Sequence, residues 1–430
     1  MDSDGGDTVE AHRLITSGLD SNSSPPCTLD PASSNHPSIV HTSGPSLPIE
    51  IWERVIDEVL TIDLVGYSQE ILSCARTCRA WRPRCRYWLF HMVLIRTLEQ
   101  LHLLSETMRT SPHLGALVTA IMILPKKREH MTELTWLAGD LLAVHLTTAS
   151  VIAIMSHVSL PENPVSEEPT DVPMVQDAGH DFRSLGPKQS PLDSMRLLLP
   201  FRSSPITAIN LSNITIPDFS EMCSVITQFP TISCLRFYSV QWRSPVQSDA
   251  TFVIPTLLEL AITPYTQLDP EQALLGFAGP SLRFLMLELI AAPSTDEHVS
   301  ERVDLSRFTS LQGLRLDTKD ICLGNHSWIP RILSTITSRE VTSITIRCTV
   351  VFQTTIEAVL DRLECGSISN ILDAPQFSDL RFFLLEFGDS SDHLALWESG
   401  LAALCPQLVA KGIVEVTVNP RVKFGNGATA

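Results

Sequence analysis

One pattern constrains this chain more than any other. Apolar residues at relative positions 0, +3 and +5 recur as Ile206-Ile209-Leu211, Ile232-Leu235-Phe237, Leu257-Leu260-Ile262 and Leu282-Leu285-Leu287. They continue as Leu311-Leu314-Leu316, Val341-Ile344-Ile346, Phe377-Leu380-Phe382 and Ile413-Val416-Val418. Successive starts lie 26, 25, 25, 29, 30, 36 and 36 residues apart. The +3/+5 pair has the period of two expected of a strand with one buried face. Chance alone gives such a triplet about once per 25–30 positions, so the weight rests on what separates the triplets. Asp218 to Phe229 is amphipathic, opens with Asp218-x-x-Glu221 and stops at Pro230, which predicts a capped helix. The segment PEQALLGF after Asp269, and Ile329–Thr337, Thr354–Leu363 and Ser391–Leu404, are further helical stretches. Strand then helix at near-constant spacing predicts a curved α/β solenoid over residues 192–420.

Upstream the composition changes. Residues 1–45 are rich in Ser, Pro, Asp and Gly and lack apolar periodicity, which predicts disorder. From Leu47 the pattern becomes helical. Pro48 suits a first helical turn, and Trp52, Val55, Ile56, Val59 and Leu60 fall on one face. Ile71, Leu72, Ala75 and Cys78 predict a second helix, and Trp81, Cys85, Trp88, Leu89 and Met92 a third that tolerates Pro83 early. Three short helices over 46–92 have a marginal core of their own, so such a unit needs a partner or neighbour to cover it. Helical periodicity continues through Ile95, Leu98, Leu101 and Met108 to Pro112. A strand is predicted in Leu117–Leu124 and a helix over Thr132–Leu142. Residues 93–160 thus read as a helical linker and a first repeat-like segment. Residues 161–191 hold six prolines and several acids, an acidic flexible insertion. Residues 421–430 read as a tail.

The formal net charge of −17 argues against non-specific nucleic-acid binding by the whole chain. The local arginines (Arg76, Arg79, Arg82, Arg84, Arg86, Arg96) read as a solvated helical face beside the acidic first helix or an acidic partner. The acidic start MDSDGGDTVE carries no secretory h-region. The ten scattered cysteines, without a CxxC pair, read as reduced thiols. Residues 141–161 lack Asp, Glu, Lys and Arg, but His145, His157 and several hydroxyls favour a buried helix running into a strand over a membrane span.

Catalytic constellations are missing. There is no G-x-S-x-G, no phosphate-binding Gly-Lys-Ser/Thr and no H-E-x-x-H. His130-x-x-Glu133 reads as a surface helix start, and Cys74, Cys78 and Cys85 as small core residues without histidines at zinc spacing. The expectation is a non-catalytic chain with no cofactor and no metal.

The residues Leu47-Pro48-x-Glu50-Ile51, followed by Cys78-Arg79-x-Trp81-Arg82, resemble the two ends of an F-box, and the match covers Leu47 to about Phe90. The L-x-x-L-x-L shape of the later triplets is similar to the strand segment of leucine-rich repeats, although the usual Asn or Cys is mostly missing. Together these imply an α+β chain with an N-terminal three-helix F-box followed by an irregular leucine-rich-repeat-like solenoid. The F-box resemblance implies docking onto a Skp-type adaptor of a cullin-RING ubiquitin ligase. Carried over by position, Leu47, Pro48, Ile51, Ile56, Leu72, Cys78 and Trp81 are the adaptor-facing or supporting residues. The longer link between Leu60 and Ile71 departs from that family's pattern. The expected function is a substrate receptor that also holds a protein target on its repeat face. It would work in the cytoplasm or nucleus, with no nucleic acid or membrane as partner. The alternative is an F-box scaffold or regulatory protein outside any ligase.

Overall fold

The computed structural model describes residues 48–60, 67–125, 130–156, 190–191, 195–216, 218–242, 253–264, 270–290, 303–319, 326–349, 355–389 and 393–419. The segment 1–45, Leu47, the link 61–66, nearly all of the acidic insertion and the tail 421–430 lie outside these residues.

Three helices come first: α1 (Ile49–Leu60), α2 (Tyr67–Thr77) and α3 (Arg82–His91), with a 3-10 turn Arg79–Trp81 before α3. Strand β1 (Met92–Ile95) follows α3 directly. Then come α4 (Leu98–Thr110), α5 (Pro112–Gly115), β2 (Ala120–Ile123), α6 (Met131–Leu142) and β3 (Val151–Met155). After β4 (Ser190–Pro191) and a 3-10 segment Met195–Ser203 lie β5 (Ala208–Ser212), β6 (Ile214–Ile216), α7 (Phe219–Ile226), β7 (Cys234–Trp242) and β8 (Glu259–Pro264). The chain continues as α8 (Pro270–Phe277), β9 (Phe284–Ile290), β10 (Gly313–Lys319), α9 (Trp328–Ser334), β11 (Ser343–Cys348), α10 (Ile356–Arg362) and α11 (Cys365–Leu372). It ends with β12 (Phe382–Phe387), α12 (Leu394–Leu404), α13 (Pro406–Ala410) and β13 (Val414–Val418).

The strands form one thirteen-stranded sheet, and every described pairing is parallel. Strands β1, β2, β3, β5 and β7 to β13 lie side by side in chain order, with β4 and β6 as a short branch beside β7. One register row runs Val93, Ile121, Ile152, Ile209, Leu235, Leu260, Leu285, Leu314, Ile344, Phe383, Val414. All of these are buried except Val414, which is half-buried. The helices pack onto the same face. Leu101, Leu134, Met222, Ile329, Ile368 and Trp397 join the strand residues in one continuous core, and the Trp397 ring stacks on Phe387 at 3.7 Å. Burying a full Leu or Ile side chain contributes about 1.5–3 kcal/mol, so this row and its neighbour two residues on are the main source of cohesion.

The α+β architecture expected from the sequence, a separate three-helix F-box followed by a leucine-rich-repeat-like solenoid, is therefore corrected. The class is α/β, and a single all-parallel sheet runs from Met92 to Val418. Its first strand begins where the third helix was expected to continue. Met92-Val93-Leu94-Ile95 alternates half-buried and buried, which is strand behaviour, and β-branched Val93 and Ile95 favour it. The N-terminal helices are also not detached from the sheet, since Leu89 packs against both their small core and the large one.

The final two triplets are out of register. Phe382 is 58% exposed, and the buried strand residues are Phe383 and Leu385. Phe377 belongs to a 3-10 turn, Pro375–Phe377, ahead of the strand. An odd shift along a strand exchanges its faces, so a match placed one residue off selects the wrong side. In β13 the residue aligned with Phe383 is Val414, so that triplet is shifted by two and keeps the core face.

Hydroxyl side chains tie the turns that precede the strands. Thr148 Oγ1 donates to the Val118 carbonyl (3.0 Å), Thr231 to Ile206 (2.6 Å), Thr256 to Ile232 (2.6 Å) and Ser281 to Pro255 (2.7 Å). Each ties a strand-preceding hydroxyl to a carbonyl of the preceding turn.

Candidate docking site

Pro48 immediately precedes helix α1, and its carbonyl accepts from the Ile51 N–H at 3.1 Å. Its inner face is held at three points. Ile56 (3% exposed) packs with Ile71 and Cys85 in a small core that Cys74, Ala75, Trp81, Trp88, Leu89 and Met92 close. The Trp52 and Trp81 rings lie 5.0 Å apart. Asp57 is clamped from α3: Arg84 Nε and Nη2 donate to its two oxygens at 2.8 and 2.5 Å, and Trp88 Nε1 donates at 2.7 Å. The Arg84 hydrogen bonds hold the Asp57 carboxyl below its ordinary range, against the opposing effect of partial burial. Burial pushes the Cys85 thiol up to about 11, so it is an inert core group at neutral pH.

With Ile56 turned inward, Ile51 and Val55 are left 46% and 45% exposed, one turn apart, with Pro48 exposed ahead of them. Pro48, Ile51 and Val55 stand at i, i+3 and i+7, which is one stripe on a helix. It is an apolar ridge on an otherwise charged outer surface (Glu50, Arg54, Glu58).

The expected site residues divide accordingly. Pro48 and Ile51 are on the ridge. Ile56 is core, Trp81 is half-buried against it, and Leu72 and Cys78 are half-buried without belonging to that core, with Cys78 in extended conformation capping the turn before α3. Leu47 lies outside the described residues. Val55 was expected inward with Trp52 and Ile56; it faces out because only a narrow face of α1 meets α2 and α3. The Asp57–Arg84–Trp88 clamp had no local signal, since its members are 27 and 31 residues apart. Arg84 therefore leaves the arginine cluster read as solvated, whereas Arg76, Arg79 and Arg82 are exposed.

The sheet face opposite the helices is the second surface. On β1, β2, β3 and β5 it carries Leu94, Met122, Met155, Ala208 and Asn210, without charge. From β7 to β12 it carries a charged band: Arg236 with Glu259 (2.6 Å), Arg315 with Asp317 (2.7 Å), and Arg347 with Glu386 (3.7 Å). Burial pushes the Asp317 carboxyl above its usual range, while Arg315 and Arg347 oppose that shift and Glu288 adds to it. Phe284 (49% exposed) and Phe382 (58%) stand in the same register row, separated by Gly313 and Ser343. The two strand positions are three strand spacings apart, roughly 14 Å, and the Phe284 ring lies over Gly313.

Among the described residues no group of three or more His, Cys, Asp or Glu could hold a metal ion, and no helix is long and apolar enough to cross a membrane. Searches against family models and curated proteins return no match for this chain.

Proposed function

We propose that the chain is a substrate-recognition subunit of an SCF-type cullin-RING ubiquitin ligase. In this reading the segment Leu47–Phe90 docks on a Skp-type adaptor, and the open face of the sheet holds a protein target. The observation that carries the reading is the apolar ridge Pro48-Ile51-Val55, left uncovered on a helix whose sequence has the Leu47-Pro48-x-Glu50-Ile51 start. Ridges of this kind anchor helix-in-groove contacts, where a few buried apolar side chains supply most of the affinity. The clamp on Asp57 pre-orients the ridge, which lowers the ordering cost of docking.

Such a subunit needs no chemistry of its own. It raises the effective concentration of a target lysine near the ubiquitin-carrying enzyme. The exposed Phe284 and Phe382 rings and the charged band supply apolar anchoring and orientation for the target. A receptor of this kind works in the cytoplasm or nucleus. The test is affinity purification of the full chain from cells, scored for adaptor and cullin, beside a Leu47→Ala/Pro48→Ala variant. Recovery of both proteins with the parent and neither with the folded variant supports the reading. Recovery of neither with the parent rejects it, and adaptor without cullin rejects the ligase part.

A further inference from the structure

The two ends of the sheet are finished differently. At β1 the core residues Val93 and Ile95 are 8% and 1% exposed, and the helices α1 to α3 stand at that end. At β13 the equivalent residues Val414, Val416 and Val418 are only half-buried, and among the described residues β13 pairs with β12 alone. Beside it on the helical layer, Leu404 and Val409 are 43% and 40% exposed. A core row buried on ten strands is thus open to solvent on the eleventh.

The backbone of β13 fixes which groups are unpaired. The Ile413 carbonyl accepts from the Phe383 N–H (2.8 Å), and the Asn419 N–H donates to the Phe387 carbonyl (2.9 Å). The N–H and C=O of one strand residue point to the same side, and the side alternates along the strand. Ile413, Glu415, Thr417 and Asn419 therefore face β12, while Val414, Val416 and Val418 present both backbone groups at the open edge. An edge of this kind is a template for another strand.

We propose that the edge is occupied by the same edge of a second copy of this chain, paired antiparallel about a two-fold axis midway between the two Val416 residues. Self-pairing of Val-Glu-Val-Thr-Val is complementary at each position. Val416 meets its own counterpart, and Val414 meets Val418, all as hydrogen-bonded pairs on the core face. Glu415 meets Thr417 on the open face, so no like charges oppose each other. The two half-covered valine rows become one row, and the two sheets join into a single surface. The pairing does not depend on what α1 binds.

Light scattering on the full chain during size exclusion, from about 1 to 100 μM, tests this. The parent chain is expected at twice its 47.5 kDa mass. Val416→Pro removes an N–H that points away from β12, so it leaves the sheet intact and is expected to be monomeric. Val416→Lys is the second variant, with the same expected loss of the dimer. A parent chain that stays monomeric throughout overturns the proposal, as does a dimer that survives in either folded variant. Amide exchange decides the case in which both variants misfold. The Val414, Val416 and Val418 N–H groups must gain protection as parent concentration rises, and concentration-independent exchange at these sites overturns the proposal.

Discussion

Replacing Asp57 by Ala removes three hydrogen bonds that fasten α1 to α3. The partners lie near the surface: the Arg84 and Asp57 side chains are 31% and 35% exposed. Solvent screening keeps the two-pronged ion pair at about 1 kcal/mol, and the Trp88 N–H donating to a charged acceptor adds about 1 kcal/mol. The expected loss is thus ~2 kcal/mol, roughly a 30-fold rise in the opening equilibrium of α1. It should be local, because α1 is otherwise held by Ile56 and the Trp52–Trp81 contact, whereas the sheet has its own continuous core. Hydrogen exchange read by mass spectrometry should show residues 48–60 exchanging about thirty times faster, with β7 to β11 unchanged. Equal acceleration in the sheet strands, or no change in α1, would refute the account of how the ridge is held. The pH dependence has a definite sign. The folded-state pKa of Asp57 lies below its unfolded value near 3.8, so the clamp is fully present above that value. It is lost as pH falls through the depressed pKa, and α1 exchange, corrected for the intrinsic rate, should accelerate there in the parent chain but not in Asp57→Ala.

Other perturbations separate rigid from yielding sites. Gly115→Ala puts a Cβ 2.4 Å from the His145 backbone carbonyl oxygen, so it should cost about 2–3 kcal/mol in denaturant unfolding. Gly313→Ala meets the Phe284 ring at 2.7 Å, but that ring is half-exposed and can swing away, so less than about 1 kcal/mol is expected. Arg307 Nη2 donates to the carbonyls of Leu275 and Ala278 at the end of α8; Arg307→Ala leaves both without it and should lower the melting temperature through a loss of about 1–2 kcal/mol.

How much of this was legible in the sequence follows from the range of the interactions. The strands from Ile206 to Ile346 were legible because their apolar triplets are both local and repeated. Helix α7 was legible from its N-cap: Asp218 accepts from the Ser220 N–H at 2.7 Å. Of the earlier strands, β2 and β3 fall within the stretches expected to hold strands, whereas β1 lies where helix was expected. Phe90-Val93-Ile95, Val118-Ile121-Ile123 and Ala149-Ile152-Ile154 follow the same 0, +3, +5 rule, but they sit among helical residues whose 3.6 period competes for the same positions. That competition hid β1, whereas the α+β reading followed from the resemblance of the motifs to an F-box and to leucine-rich repeats. Of the candidate site, Pro48 and Ile51 could be named from a motif. The exposure of Val55, the Asp57 clamp and the alignment of Phe284 with Phe382 in one register row depend on how distant segments are placed, which periodicity does not record.

The central claim is that the ridge on α1 docks a Skp-type adaptor, and isothermal titration of the purified full chain with purified adaptor tests it most directly. About half of Ile51 and of Val55 remains to be buried, on the order of 75 Å² each and ~2 kcal/mol per side chain. The account predicts one-to-one binding by the parent chain. It predicts a loss of at least about 100-fold in affinity for Ile51→Glu/Val55→Glu, with the thermal unfolding of the sheet unchanged. No binding by the parent chain, or undiminished binding by the double variant, would contradict it.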